Sequence, residues 1–228
     1  MATHLVTGAG SGIGAVLADR LLERGDDLVL VARSPERAHD LRADVPGATV
    51  LVADLADAGE VAALADELPD RLDSVVHAAG VVDLGPVADL STEAWQEQLA
   101  VNVVAPAVLT RVVLPALRAA RGTVVFVNSG AGLSASPHWS AYAASKHALR
   151  ALADALRGEE QQYGVRVTTV YPGRTATPMQ QKVHEQEGKD YDPGDWVSPG
   201  SVAGTVLHLL DLPPDATIPD ITVRPRPR

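Results

Sequence analysis

The chain has 228 residues, no cysteine and a formal net charge of −10. It is long enough for a substantial core; it has no disulfide framework, thiolate metal site or cysteine nucleophile, and it lacks the basic balance a nucleic-acid partner would need. Hydrophobic residues at 46% and charged residues at 21% are ordinary for a soluble globular protein, no apolar run is read as spanning a membrane, and the N-terminus shows no signal-peptide pattern, so a cytoplasmic location is expected.

In chain order, an apolar run over residues 3–7 leads into T-G-A-G-S-G-I-G at 7–14, and a helical pattern follows over 13–23. Gly8, Gly12 and Gly14 between a strand and a helix suit a turn whose backbone N–H groups approach a diphosphate, aided by the helix N-terminus. Ser11 and Ile13 belong to the same turn. The second strand, 28–32, ends at Arg33-Ser34 with no acid to hold a ribose 2′-hydroxyl. Arg33 could pair with a 2′-phosphate, so NADP(H) is favoured over NAD(H). A helical pattern at 37–43 precedes strand 49–53 and Asp54-Leu55. Asp54 is placed either to accept from an adenine amino group or to cap the helix expected over 58–67.

Strand 74–78 is followed by a long helical pattern over 92–119, in which Pro106 and Pro115 are expected to kink or shorten the helix. Strand 123–128 delivers Ser129 to the carboxyl edge of the sheet. In the helix predicted over 140–163, Tyr142 and Lys146 are four apart and share a face. A neighbouring ammonium favours a phenolate and is expected to lower the tyrosine pKa from about 10. With Ser129 holding a carbonyl oxygen, Tyr142 could deliver a proton to it.

Strand 165–171, an irregular stretch 172–200 with a short helix at 179–187, a helix at 201–210 and a strand at 217–223 complete the chain. The irregular stretch reads as a substrate lid or loop, centred on 175–198. The arginine–proline tail 224–228 reads as a frayed end rather than an anion site. The repeating βα order predicts an α/β fold, a doubly wound parallel seven-stranded sheet with helices on both faces (a Rossmann fold), in one domain over 1–228.

Together with Asp54-Leu55, A-A-G at 78–80, Asn102 in V-N-V-V-A-P, Y-A-A-S-K at 142–146 and P-G-R-T-A-T at 172–177, these motifs resemble the short-chain dehydrogenase/reductase family in its compact form. The resemblance implies Tyr142 as general acid/base, Lys146 as pKa modulator and nicotinamide-ribose ligand, Ser129 as substrate-orienting group and Asn102 in a water-linked proton relay. It implies backbone contacts to cofactor from Ala78, Ala79 and Gly80, a place near the nicotinamide carboxamide for Pro172, Gly173, Thr175 and Thr177, and a homodimer or homotetramer built on the helices around 92–118 and 140–163. Where the family has an asparagine in the motif after the fourth strand, this chain has His77, which either substitutes for it or simply packs.

The expected activity is NADP(H)-dependent interconversion of an alcohol with a ketone or aldehyde, such as a 3-oxo or 3-hydroxy acid. The alternative is a catalytically silent NADP(H)-binding regulator on the same fold. The partner is a small-molecule carbonyl or alcohol, in a pocket walled by 131–138, 177–196 and 81–84 with Leu133, Trp139, Met179 and Trp196 as apolar surface; no metal site has recognisable spacing. Arg174, Lys182 and Lys189 are read as solvated.

Overall fold

A computed structural model describes residues 1–226. Seven strands, β1 (Thr3–Thr7), β2 (Asp27–Ala32), β3 (Thr49–Val52), β4 (Ser74–His77), β5 (Thr123–Val127), β6 (Arg166–Pro172) and β7 (Asp220–Val223), form one sheet in the order β3-β2-β1-β4-β5-β6-β7. Every pairing is parallel. The strand order reverses between β1 and β4, so a crevice opens outside their carboxyl ends, where such sheets bind ligands.

The strands are apolar on both sides because successive side chains face opposite layers. Leu5, Val29, Val31, Val124 and Phe126 pack on one side against α3 (Ala58–Ala63), α5 (Ala105–Ala120) and α6 (Ser140–Glu160). Val6, Leu28, Leu30, Val125 and Val127 pack on the other against α1 (Gly12–Glu23), α2 (Pro35–Asp44) and α8 (Pro199–Leu210). This is the doubly wound sheet that the βα order predicts. The last strand is shorter than expected, starting at Asp220. Pro219 has no N–H for a ladder, although its carbonyl accepts from the Thr169 amide at 2.9 Å.

The long helical pattern is continuous but not uniform. It runs as α4 (Thr92–Leu99), a π-helical turn over Ala100–Val104, and α5. Pro106 falls in the first turn of α5 and Pro115 inside it. Neither proline ends the helix, which closes at Arg121 in a left-handed conformation followed by Gly122. The irregularity lies instead in the wide turn carrying Asn102. Helix Thr92–Ala120 is long and apolar enough to cross a membrane by length and composition, with a mean hydropathy of 1.8 over its most apolar 18 residues. The expectation that no such run exists is thereby corrected. The cause of its apolarity is packing: Ala105, Leu109, Val113, Ala116 and Leu117 lie in the core beneath the sheet. Leu99 and Val104 are left exposed on its flank.

The irregular stretch holds α7 (Pro178–Glu187), one residue longer than predicted, and a 3-10 turn over Pro193–Asp195. It is not loose. Thr175 and Val197 bridge in parallel, and Gln186 reaches Asp83 at 2.6 Å and the Leu84 amide at 3.1 Å in the loop after β4.

Candidate active site

A cavity of about 1020 Å³ lies at the carboxyl edge of the sheet. Gly8, Ser11, Gly12 and Ile13 form one end, and Ala78, Ala79 and Gly80 the floor beside them. Gly8 and Gly12 have φ of +73° and +58°, which L side chains rarely adopt. A Cβ at Gly8 would sit 2.7 Å from the Ala79 amide nitrogen. Ser11 occupies the N-cap position of α1, yet its hydroxyl caps nothing, so hydroxyl and helix N-terminus both face the cavity. This backbone cradle, open where a side chain would close it, fits a dinucleotide diphosphate. Gly14 does not line the cavity; it lets α1 start directly against the Gly8 carbonyl.

At the other end, Ser129 is delivered by β5 and Tyr142 and Lys146 by the first turns of α6. Tyr142 is 6% exposed and Lys146 3%. The Ser129 hydroxyl acts on the Tyr142 phenol and accepts from the Ala131 amide at 3.1 Å. The Lys146 ammonium lies 5.7 Å from the Tyr142 ring centre and 3.4 Å from the Val127 carbonyl. Asn128 holds the pair in register: its amide donates to the Lys146 carbonyl at 3.0 Å and its oxygen accepts from the Ser129 N–H at 2.8 Å.

The expected lowering of the tyrosine pKa does not occur in the chain alone. Burial pushes Tyr142 up to about 12, with the Ser129 hydrogen bond opposing it. Burial also pushes Lys146 down to about 8. Removing water disfavours both charged forms, and at this separation that cost outweighs their attraction. The phenol is therefore a proton donor across the neutral range.

Asn102 lies at the core of a network that spacing does not reveal. Its side chain accepts from the Val81 N–H at 2.9 Å and donates to the Val81 carbonyl at 2.9 Å and the Ser145 hydroxyl at 3.0 Å. Ser145 in turn donates to the Tyr142 carbonyl at 2.8 Å. A buried polar residue in mid-helix is thus satisfied through two other elements rather than locally.

Pro172, Gly173, Thr175 and Thr177 all line the cavity. Thr177 caps α7 and lays its methyl group 3.0 Å from where a Gly12 Cβ would be, bringing this segment onto the glycine turn. Arg33, Asp54 and Leu55 do not line it. Arg33 stands exposed immediately after β2. Asp54 does not cap α3; its carboxylate accepts from the Ala56 amide at 2.9 Å, and Asp57 is the cap. Leu55 packs against the core. Arg37, not singled out in the sequence, reaches the glycine turn: a Cβ at Gly10 would meet its guanidinium at 2.9 Å. Its spacing from Ser34, whose hydroxyl accepts from the Arg37 amide at 3.3 Å, was the available signal.

The substrate wall differs in part from expectation. Trp139 and Met179 line the cavity, as does the exposed His138, whereas Leu133 and Trp196 do not. Trp196 packs on His184 and against Arg174 instead. Arg174 is not simply solvated: it pairs with Glu187 at 2.6 Å and lies between the rings of Trp139 and Trp196. Lys182 pairs with Asp83 and Lys189 with Glu187, both at 3.1 Å. Among the described residues no group of histidines and acids is placed to hold a metal.

Fold, glycine cradle and the Ser129 group with its buried Tyr142 and Lys146 define a dinucleotide-binding α/β oxidoreductase. The sequence profile described as short chain dehydrogenase matches residues 2–188, and the chain belongs to that family. It is similar to an uncharacterized oxidoreductase of Staphylococcus epidermidis, 28% identical over 97% of this chain and 96% of the relative. It is 32% identical to dehydrogenase/reductase SDR family member 7B of Bos taurus, over 92% of this chain and 70% of that protein. Among solved structures, an alcohol dehydrogenase from the archaeon Thermococcus sibiricus complexed with 5-hydroxy-NADP matches with a TM-score of 0.84. It is 27% identical, covering 100% of this chain and 99% of that one.

Proposed function

We propose that this protein is an NADP(H)-dependent reductase or dehydrogenase interconverting an alcohol with a ketone or aldehyde. The observation that carries the reading is the opening of the glycine cradle and of Ser129, Tyr142 and Lys146 into one cavity. The cofactor would be held by Gly8, Ser11, Gly12 and Ile13 at its diphosphate, with Ala78, Ala79, Gly80, Pro172, Gly173, Thr175 and Thr177 along the rest of its length. When bound it supplies or accepts hydride.

The chain's own residues do the remainder. Ser129 orients the carbonyl oxygen, and Tyr142 donates its proton to that oxygen as the alcohol forms. Lys146 offers an ammonium that stabilises the phenolate left behind. Asn102 acts through Ser145 and Val81, holding α6 and the loop after β4 in place. The preference for NADP(H) rests on Arg33, with the Arg37 guanidinium, which pairs with Asp40 at 2.7 Å, beside the glycine turn.

Residues 1–228 would act as one domain, with 175–198 as the substrate loop, in a cytoplasmic homodimer or homotetramer. The exposed Leu99 and Val104 on the long helix supply an apolar face for that association. The test is oxidation of NADPH and of NADH with a panel of aldehydes, ketones and 3-oxo esters, comparing wild type with Arg33→Ser. The proposal expects faster turnover with NADPH and a loss of that preference in the variant. A wild-type preference for NADH would overturn the NADP(H) assignment, and tight NADPH binding with no turnover on any carbonyl would favour a silent regulator.

A further inference from the structure

The cavity is lined by four long basic side chains, Lys146, Arg174, Lys189 and Arg224. Lys146 belongs to the proton-transfer group. Arg174 and Lys189 are both paired with the single carboxylate of Glu187. Arg224 makes no ion pair or hydrogen bond among the described residues. It is exposed, and it lines the site in a protein whose net charge is −10.

Its position is built rather than accidental. Val223 pairs with Pro172 at the end of the sheet, and the Gly173 amide donates to the Val223 carbonyl at 2.7 Å. Pro225 follows and restricts the backbone of Arg224 to extended conformations. Two glycines make room for the tail. A Cβ at Gly173 would come within 3.0 Å of the Pro225 ring, and a Cβ at Gly130 within 3.1 Å of the Arg224 guanidinium. Gly130 directly follows Ser129. The expectation that this tail is a frayed end is corrected for Arg224 and Pro225, which lie against Gly130 and Gly173; residues 227 and 228 lie outside the described residues.

We propose that Arg224 is a specificity-determining residue that selects a substrate bearing a carboxylate close to its reacting carbonyl, an oxo acid or the corresponding hydroxy acid. A guanidinium presents two parallel N–H donors that match a carboxylate. A phosphate dianion would call for a second unpaired cation, whereas Glu187 already pairs with Arg174 and Lys189. The inference rests on the reductase reading given above and narrows its substrate class.

The experiment compares kcat/KM for an oxo acid and its methyl ester, in wild type, Arg224→Gln and Arg224→Lys, varying the carbonyl at saturating NADPH and, in a second series, NADPH at saturating carbonyl. A companion measurement titrates the oxo acid into the NADPH complex of Tyr142→Phe, with and without Arg224→Gln, and reads binding without turnover. Wild type should favour the acid. The acid-to-ester ratio should fall about 10- to 100-fold in Arg224→Gln, mostly through KM, and recover in part in Arg224→Lys. An unchanged ratio overturns the proposal, as does a rise confined to the KM of NADPH, which would assign Arg224 to the cofactor. If no carbonyl is turned over, the reductase reading fails on its own. The binding titration then still decides whether Arg224 captures the carboxylate.

Discussion

Replacing His77 with asparagine should remove much of the chain's sensitivity to mild acid. His77 ends β4 in the interior, stacked on Phe126 with ring centres 4.9 Å apart and with Nε2 2.9 Å from the Thr110 hydroxyl. No carboxylate is present to balance an imidazolium, and burial lowers its pKa from 6.5 to about 3. The folded state therefore refuses a proton that the unfolded chain accepts. Stability is fully present above about pH 6.5 and is lost as pH falls toward about 3, with a full range on the order of 5 kcal/mol. Between neutrality and about pH 4 roughly 3 kcal/mol of that should be gone. Asparagine keeps a hydrogen-bonding group for Thr110 but does not titrate. Urea unfolding of both proteins across this range measures the difference directly. The variant should be less stable at neutral pH, since it loses the ring contact, but its disadvantage should shrink by about 3 kcal/mol on acidification. Stability curves that run parallel with pH would refute the reasoning.

Three further predictions follow from the site. Gly8→Ala places a methyl group against the Ala79 backbone at a positive φ; dinucleotide affinity measured by titration should fall by at least about tenfold, and stability by about 1–3 kcal/mol. Asn102→Leu leaves the Val81 N–H and carbonyl without their side-chain partner; denaturation should show a loss of about 1–3 kcal/mol. Lys146 gives up its charge at about pH 8, so carbonyl reduction should decline as pH rises through that value. Lys146→Arg, whose guanidinium stays protonated, should flatten that limb in the pH–rate profile.

Most of the fold was legible because several strands, such as β2 and β5, are almost wholly apolar runs and alternate with helical patterns. β1 is reproduced residue for residue, and the other strand ends move by a few residues at most. What pattern could not give is contact between distant elements. Asn102 reads as an awkward polar residue inside a helix until the π turn and Val81 are seen together. Lys146 and Tyr142 are neighbours by spacing alone, but the balance between their attraction and the loss of water depends on how deeply both are buried. Arg37 and Arg224 carry no motif. One becomes part of the glycine turn because α2 folds back over it, and the other faces the cavity because parallel pairing of β7 with β6 carries the tail past Gly173 to Gly130. Arg174 looked solvated because neither tryptophan nor Glu187 is adjacent to it in sequence.

The central claim is proton transfer from Tyr142 beside a bound nicotinamide cofactor. The most direct measurement is single-turnover reduction of a carbonyl by NADPH in wild type and Tyr142→Phe, with NADPH affinity determined for both. Affinity should be equal within about twofold, and the rate should be lower in the variant by about 10²- to 10⁴-fold. An undiminished rate in Tyr142→Phe would contradict it.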